Sequence, residues 1–307
     1  MRLTRSAFTL VEILIAVAIA GVAGSAIMLT LVRQQRFFSS AASILDVRSQ
    51  LRDGADVLVG DLRGAAVARF GIRAVEDSMI EFYATIATSV ACAAPSGATI
   101  ALPPQVLSRG NSLTSILFVP DTADVALLYG IPFGVPDSGR WETQRIVSFT
   151  SRSVASTCPS SSGFTTAADG AAGTAAYLLV LAAAPSPAVR KGAPIVFVRR
   201  VRYSIYRSSD GEWYLGYRRC SAGSSVCSSI QPVSGPYRPH SRSPGSSGLS
   251  FRYYDGAGLE VSSPTGDVAQ IDVILRGQTA RAASLDGDLR RIYRDSVVLT
   301  VSPRNRR

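Results

Sequence analysis

Apolar residues run almost without interruption from Phe8 to Val32, and the pattern then changes period twice. The first run holds one charge, Glu12, and no proline. At ~1.5 Å rise per residue a helix over it reaches roughly 37 Å, enough to cross a bilayer with some tilt. Farther on, Ile44, Val47, Leu51, Ala55, Leu58, Leu62 and Ala65 recur at three- and four-residue steps. Asp46, Arg48, Arg52, Asp53, Asp56, Asp61 and Arg63 mostly fall on other faces. The spacing predicts one helix that leaves the span and continues over residues 33–68 as an amphipathic rod, one stripe packed on a sheet. Gly54, Gly60 and Gly64 weaken its last turns, and its end is expected near Ala68, before Phe70-Gly71.

Residues 69–307 turn to short β-rich runs. Ile80–Ala84, Ser115–Val119, Val125–Tyr129, Arg145–Thr150 and Tyr177–Leu181 read as strands, followed by Ile195–Tyr206, Glu212–Arg218, Leu249–Tyr254, Ala269–Leu275 and Ser296–Val301. Ser208-Ser209-Asp210-Gly211 and Asp255-Gly256-Ala257-Gly258 are turn signals. Ser89–Arg109, Ser151–Ala175 and Ser221–Gly248 read as long loops. The fold class expected is α+β, a long N-terminal helix packed on a mostly antiparallel β-sheet head.

Charge orients the chain. Arg2 and Arg5 precede the apolar run, so the positive-inside rule places the N-terminus in the cytoplasm and the head outside the inner membrane. Arg33 and Arg36 follow the span and weaken the asymmetry without reversing it. The formal charge is +10, and Lys191 is the only lysine among 32 basic residues. Cys92, Cys158, Cys220 and Cys227 lack the paired spacing of a zinc site. In an extracytoplasmic head their even number favours disulfides. Cys220 and Cys227 flank a short Ser/Gly-rich turn and are the favoured pair, which leaves Cys92 with Cys158. Three pairings are possible in principle, and free buried thiols are the alternative.

The string Ala7-Phe8-Thr9-Leu10-Val11-Glu12, after a short basic leader, resembles the processing site of type IV prepilins and type II secretion pseudopilins. The resemblance implies that residues 1–7 are a leader, cut by a prepilin peptidase between Ala7 and Phe8, with Phe8 then N-methylated. Ala7 replaces the glycine usual before the cut. The resemblance also implies that Glu12 pairs with the Phe8 amine of a neighbouring subunit inside an apolar helix bundle, a pairing that sets register more than it adds stability. Small residues at Ala16, Ala20 and Gly24, and at Gly21 and Ser25, would let helices approach closely. Val201–Tyr206, Trp213–Arg219, Leu249–Asp255 and Val301–Arg306 resemble, more loosely, W-type minor pilins and J-type pseudopilins. The implied partners are other pilins or pseudopilins. A head of this size argues for low copy number, at a filament tip or as an initiator. Ordinary secretion with cleavage after Ala18-Ile19-Ala20, and an uncut anchor, are the competing readings of the N-terminus.

No catalytic, metal or cofactor site is expected. His240, the only histidine, lies in a polar, proline-rich stretch and reads as a solvated residue. Asp121-Thr122-Ala123-Asp124 and Asp286-Gly287-Asp288 offer too few spaced ligands for calcium and read as turns. Tyr203, Tyr206, Trp213, Tyr214 and Tyr217 sit among Arg199, Arg200, Arg202, Arg207, Arg218 and Arg219. Such interleaving suits either cross-strand packing or a DNA-contacting face. A membrane-tethered hydrolase or ligand-binding module is the rival from another class.

Overall fold

The structure, a computed structural model, describes residues 9–65, 72–110, 113–134, 138–243, 245–261, 268–283 and 291–302. Helix α1 (Leu10–Arg63) is one piece of 54 residues, unbroken through Gly21 and Gly24. It opens on a reciprocal capping box. Thr9 Oγ1 accepts from the Glu12 amide at 3.3 Å, and Glu12 Oε2 accepts from the Thr9 amide at 2.9 Å. It closes at Gly64, whose N–H donates to Gly60 O at 3.2 Å. The helix thus ends short of the expected Ala68. The cause is capture by the sheet: Ala65 already bridges Ala84, and Thr85 N–H donates to Gly64 O at 3.0 Å.

The two halves of α1 have different surroundings. Its apolar window is 0% buried, and Leu10, Ile13, Leu14, Val17 and Val22 all stand exposed. From Ile44 onward the predicted stripe is buried, joined by Gly54 and Val59. Each large apolar side chain covered there stabilises the fold by roughly 1.5–3 kcal/mol.

Among the described residues the sheet has thirteen strands, paired antiparallel. In chain order they are β1 (Ile72–Val75), β2 (Met79–Val90), β3 (Thr99–Leu102), β4 (Ser115–Ile116), β5 (Val125–Gly130), β6 (Arg140–Ser153) and β7 (Ala175–Leu181). Then follow β8 (Pro194–Arg207), β9 (Trp213–Cys220), β10 (Gln231–Tyr237), β11 (Leu249–Tyr254), β12 (Gln270–Gln278) and β13 (Arg294–Val301). Strand β8 organises them. One edge pairs with β2 along almost its whole length. The other edge forks: Ile195–Val198 takes β5, while Arg200–Arg207 takes β9. One wing continues β5-β6-β7-β3, the other β9-β10-β12 with β11 and β13 flanking β12.

The second wing packs on α1. Leu51, Leu58 and Leu62 meet Tyr203, Leu215, Tyr237, Val273 and Leu275 in one core. Contact is closest where glycine removes a side chain. A Cβ on Gly54 would run into Tyr237 Oη and Ser234 Oγ, and one on Gly277 would meet Val47 Cγ1 at 2.8 Å. The first wing has its own core of Ile100, Leu128, Leu179, Ile195 and Phe197.

Several boundaries differ from the sequence reading. Only Ser115–Ile116 of the expected Ser115–Val119 strand pairs, with Ala87 and Thr88. Leu117 and Phe118 then donate in turn to Ile86 O at the bulge in β2, and their side chains stay exposed. The three expected loops hold structure: β3 lies in the first, α2 (Val154–Thr157) and α3 (Ala167–Ala171) in the second, β10 in the third. At the Ser208–Gly211 turn, Gly211 N–H donates to Ser208 O at 3.0 Å with φ +88°, a conformation only glycine adopts freely.

Candidate functional site

Ala7 and Phe8 lie outside the described residues, so the site is built from Thr9 onward. The spacing T-x-x-E ahead of an apolar run makes Thr9 an N-cap and puts Glu12 at the third helical position. Glu12 Oε2 takes two hydrogen bonds from Thr9, from its amide at 2.9 Å and its hydroxyl at 3.0 Å. The carboxylate is held against the helix start, at the positive end of the macrodipole. A shallow hollow runs down α1 from there, lined by Glu12, Ile13, Ala16, Val17 and Ala20. Gly24 extends the same four-residue row, and a Cβ placed on Gly21 or Gly24 meets nothing within 4 Å. The hollow is the space left by small side chains, with one acid at its head.

The remaining polar side chains of this half are satisfied by the helix itself. Ser25 Oγ donates to Val22 O at 2.8 Å and Thr30 Oγ1 to Ala26 O at 2.9 Å. An apolar environment requires this internal accounting. Below the apolar stretch, Phe37 and Phe38 stand exposed beside Arg33 and Gln34. Among the described residues one helix, near the N-terminus, is long and apolar enough to cross a membrane, and it is a candidate anchor.

Several residues singled out in the head make internal contacts. Arg199 pairs with Asp124 at 2.9 Å, and Arg200 and Arg202 both pair with Glu81 at 2.6 Å. Arg219 reaches Asp124 at 3.1 Å and also bonds Asp121. Thus four arginines of the suspected DNA face are joined to acids, and the two acids of the suspected calcium turn receive guanidinium groups. Arg207 Nε donates to Gly211 O at 3.0 Å. Tyr203 is buried and lies 5.4 Å, ring to ring, from Tyr217. Asp286-Gly287-Asp288 lies outside the described residues.

No family model, curated protein or solved structure matches the chain.

Both disulfides are formed, Cys220 with Cys227 and Cys92 with Cys158. Glu81 lies beside Cys220 and Cys227, but the disulfide removes their thiolates as metal ligands. His240 is exposed, its ring 6.5 Å from Trp213. A cleft of about 410 Å³ opens between the end of α1 and the sheet, lined by Asp61, Thr85, Phe118, Arg199, Tyr217 and Gln231, among others. Of these, Asp61 accepts from Tyr203 Oη at 2.6 Å. Burial pushes the Asp61 carboxyl upward, and the Tyr203 bond offsets only part of that. Burial also drives the Tyr203 phenol far above its ordinary range, with the Asp61 charge adding to it.

Sequence reasoning missed three things. The capping box was readable, because Thr9 and Glu12 are local. The roles of Glu81 and Asp124 were not, because their arginines are 119 and 75 residues away. Asp61 belongs to the charged set that mostly falls on faces other than the apolar stripe, yet it reaches Tyr203 on the sheet.

Proposed function

We propose that the chain is a minor pilin or pseudopilin subunit, an assembly component rather than an enzyme. The observation that carries this reading is Glu12, a lone acid on an exposed apolar rod that continues without a break into the helix packed on the head. A carboxylate at membrane depth costs a few kcal/mol and calls for a partner. In this reading a prepilin peptidase cuts between Ala7 and Phe8 and methylates Phe8. The subunit waits in the inner membrane, N-terminus inside and head outside. It then enters a bundle where Glu12 receives the Phe8 amine of a neighbour, and Ala16, Ala20, Gly21 and Gly24 admit adjacent helices. The large head suits low copy number in a pilus or pseudopilus.

N-terminal sequencing of mature protein tests the processing step. N-methyl-Phe8 is expected; a chain that keeps Met1, or begins at Gly21, overturns the reading. Substitution at Glu12 separates capping from charge. Glutamine preserves a capping box, so Glu12→Gln is expected to fold with its helix start intact. It should still enter filaments at least roughly tenfold less, because an uncompensated buried amine costs several kcal/mol. Incorporation of Glu12→Gln at the parent's level, measured on sheared filaments, would leave Glu12 a helix cap and nothing more.

A further inference from the structure

The outer face of β10–β13, the side turned away from α1, carries four arginines that form no ion pair among the described residues. Gly277 and Asp295 face the helix, against Val47 and Arg48. Side chains alternate along a strand, so Arg276 on β12 and Arg294 on β13 point the other way. Arg252 on β11 sits opposite Asp272, and Arg294 opposite Gln278. Arg238 follows β10, its amide donating to Arg276 O at 3.0 Å. Among the described residues none of the four forms an ion pair.

Their only carboxylate neighbour within β10–β13 on this face is Asp272, which accepts from Thr300 Oγ1 at 2.8 Å and Gln270 Nε2 at 3.2 Å. Arg276 Nη1 is pinned by Ser247 O and Ser250 Oγ, each at 2.9 Å. The buried Nε of Arg238 has no partner. Burial, and after it the charges of Arg238 and Arg252, lower the proton affinity of Arg276; burial and then Arg294 do the same at Arg238. Four arginines thus share this face with one carboxylate, whereas Arg199, Arg200, Arg202 and Arg219 are each joined to an acid.

The arrangement is a row, not a pocket. Arg252, Arg276 and Arg294 step across three adjacent strands at the levels of β12 residues 272, 276 and 278. At ~3.3 Å per residue along a strand and ~4.8 Å between strands, the row is roughly 22 Å long. A single small anion would leave most of it unused. A repeating phosphodiester matches it, with one charge per ~3.4 Å of axis on each strand of a duplex. Guanidinium forks suit phosphate oxygens. Single-strand binding needs successive stacking platforms, and the outward positions of β11–β13 supply one aromatic, Tyr254.

We propose that this face docks the phosphodiester backbone of a nucleic acid duplex, without reading its sequence. The proposal does not depend on filament assembly. The test uses the full chain in non-ionic detergent and a fluorescent 30-base-pair duplex, with anisotropy read across a salt series. Arg252→Glu/Arg294→Glu replaces two exposed residues and should weaken binding at least tenfold at low salt and reduce the salt slope by about 2. Arg140→Glu/Arg152→Glu, the same change of charge at two exposed positions of β6 in the other wing, should leave affinity within twofold. Equal losses from both variants would reduce the effect to net charge and overturn the proposal. So would unchanged binding by the double variant, or competition by polyglutamate as strong as that by unlabelled duplex.

Discussion

Asp61 is a carboxylate that the fold would rather keep protonated. It sits beside the core, takes the Tyr203 hydroxyl, and has its proton affinity raised by burial. The native state therefore binds that proton more tightly than the unfolded chain does. The resulting stability is complete below the ordinary carboxylate pKa and is lost as pH rises through the elevated native value. Asp61→Asn keeps an acceptor for Tyr203 and cannot ionise. Its denaturation midpoint should match the parent's at low pH and exceed it increasingly toward neutrality. Parallel midpoints from acid to neutral pH would show that Asp61 carries no such linkage. Tyr237 contrasts with it: burial pushes its phenol up to about 12, yet its hydroxyl is fully used, between Ser234 Oγ at 2.5 Å and Gln50 O at 2.9 Å.

Within α1, two glycines six residues apart make opposite predictions. Gly54 is buried where Tyr237 and Ser234 press on the helix, so Gly54→Ala forces the sheet outward and should cost about 1–3 kcal/mol. Gly60 is exposed, with nothing within 4 Å of an added Cβ, so Gly60→Ala should stabilise by roughly 0.5–1 kcal/mol. Chemical denaturation of the two variants tests the sign at each. The stripe from Ile44 to Ala65 was legible because a period near 3.6 survives in the sequence whatever the partner is. The glycines were not separable there: Gly54 and Gly60 look alike until Tyr237 is placed. Strand β10 was hidden by Pro232, Gly235 and Pro236, residues that normally mark loops. It pairs with β9 through two register shifts, which accommodate them.

At the scale of the whole molecule, the forked sheet is held by crosslinks of unequal reach. Cys92–Cys158 spans a separation of 66 residues within the first wing, and Cys220–Cys227 a separation of 7. The chain-entropy relation gives about 4 kcal/mol for the first and about 2.5 for the second. Urea denaturation of the Cys92→Ser/Cys158→Ser and Cys220→Ser/Cys227→Ser variants should show losses in that order; a larger loss from the short loop would contradict it. The short pair was legible from its turn, while the long one followed only by remainder. The apolar rod and the antiparallel head were both readable. The arginine row was not, because its members come from four segments that only the strand registers bring onto one face.

The absence of any break in α1 has a mechanical corollary. Fifty-four residues of α-helix make a shaft of ~80 Å, in which each residue of advance also turns the axis by about 100°. With the far half bolted to the sheet through Val47, Gln50 and Asp61, there is no universal joint between the two ends. Torque applied to the greasy tip swings the whole β-structure as a crank swings its arm, so the angle at which the tip is gripped dictates which flank of the head looks outward.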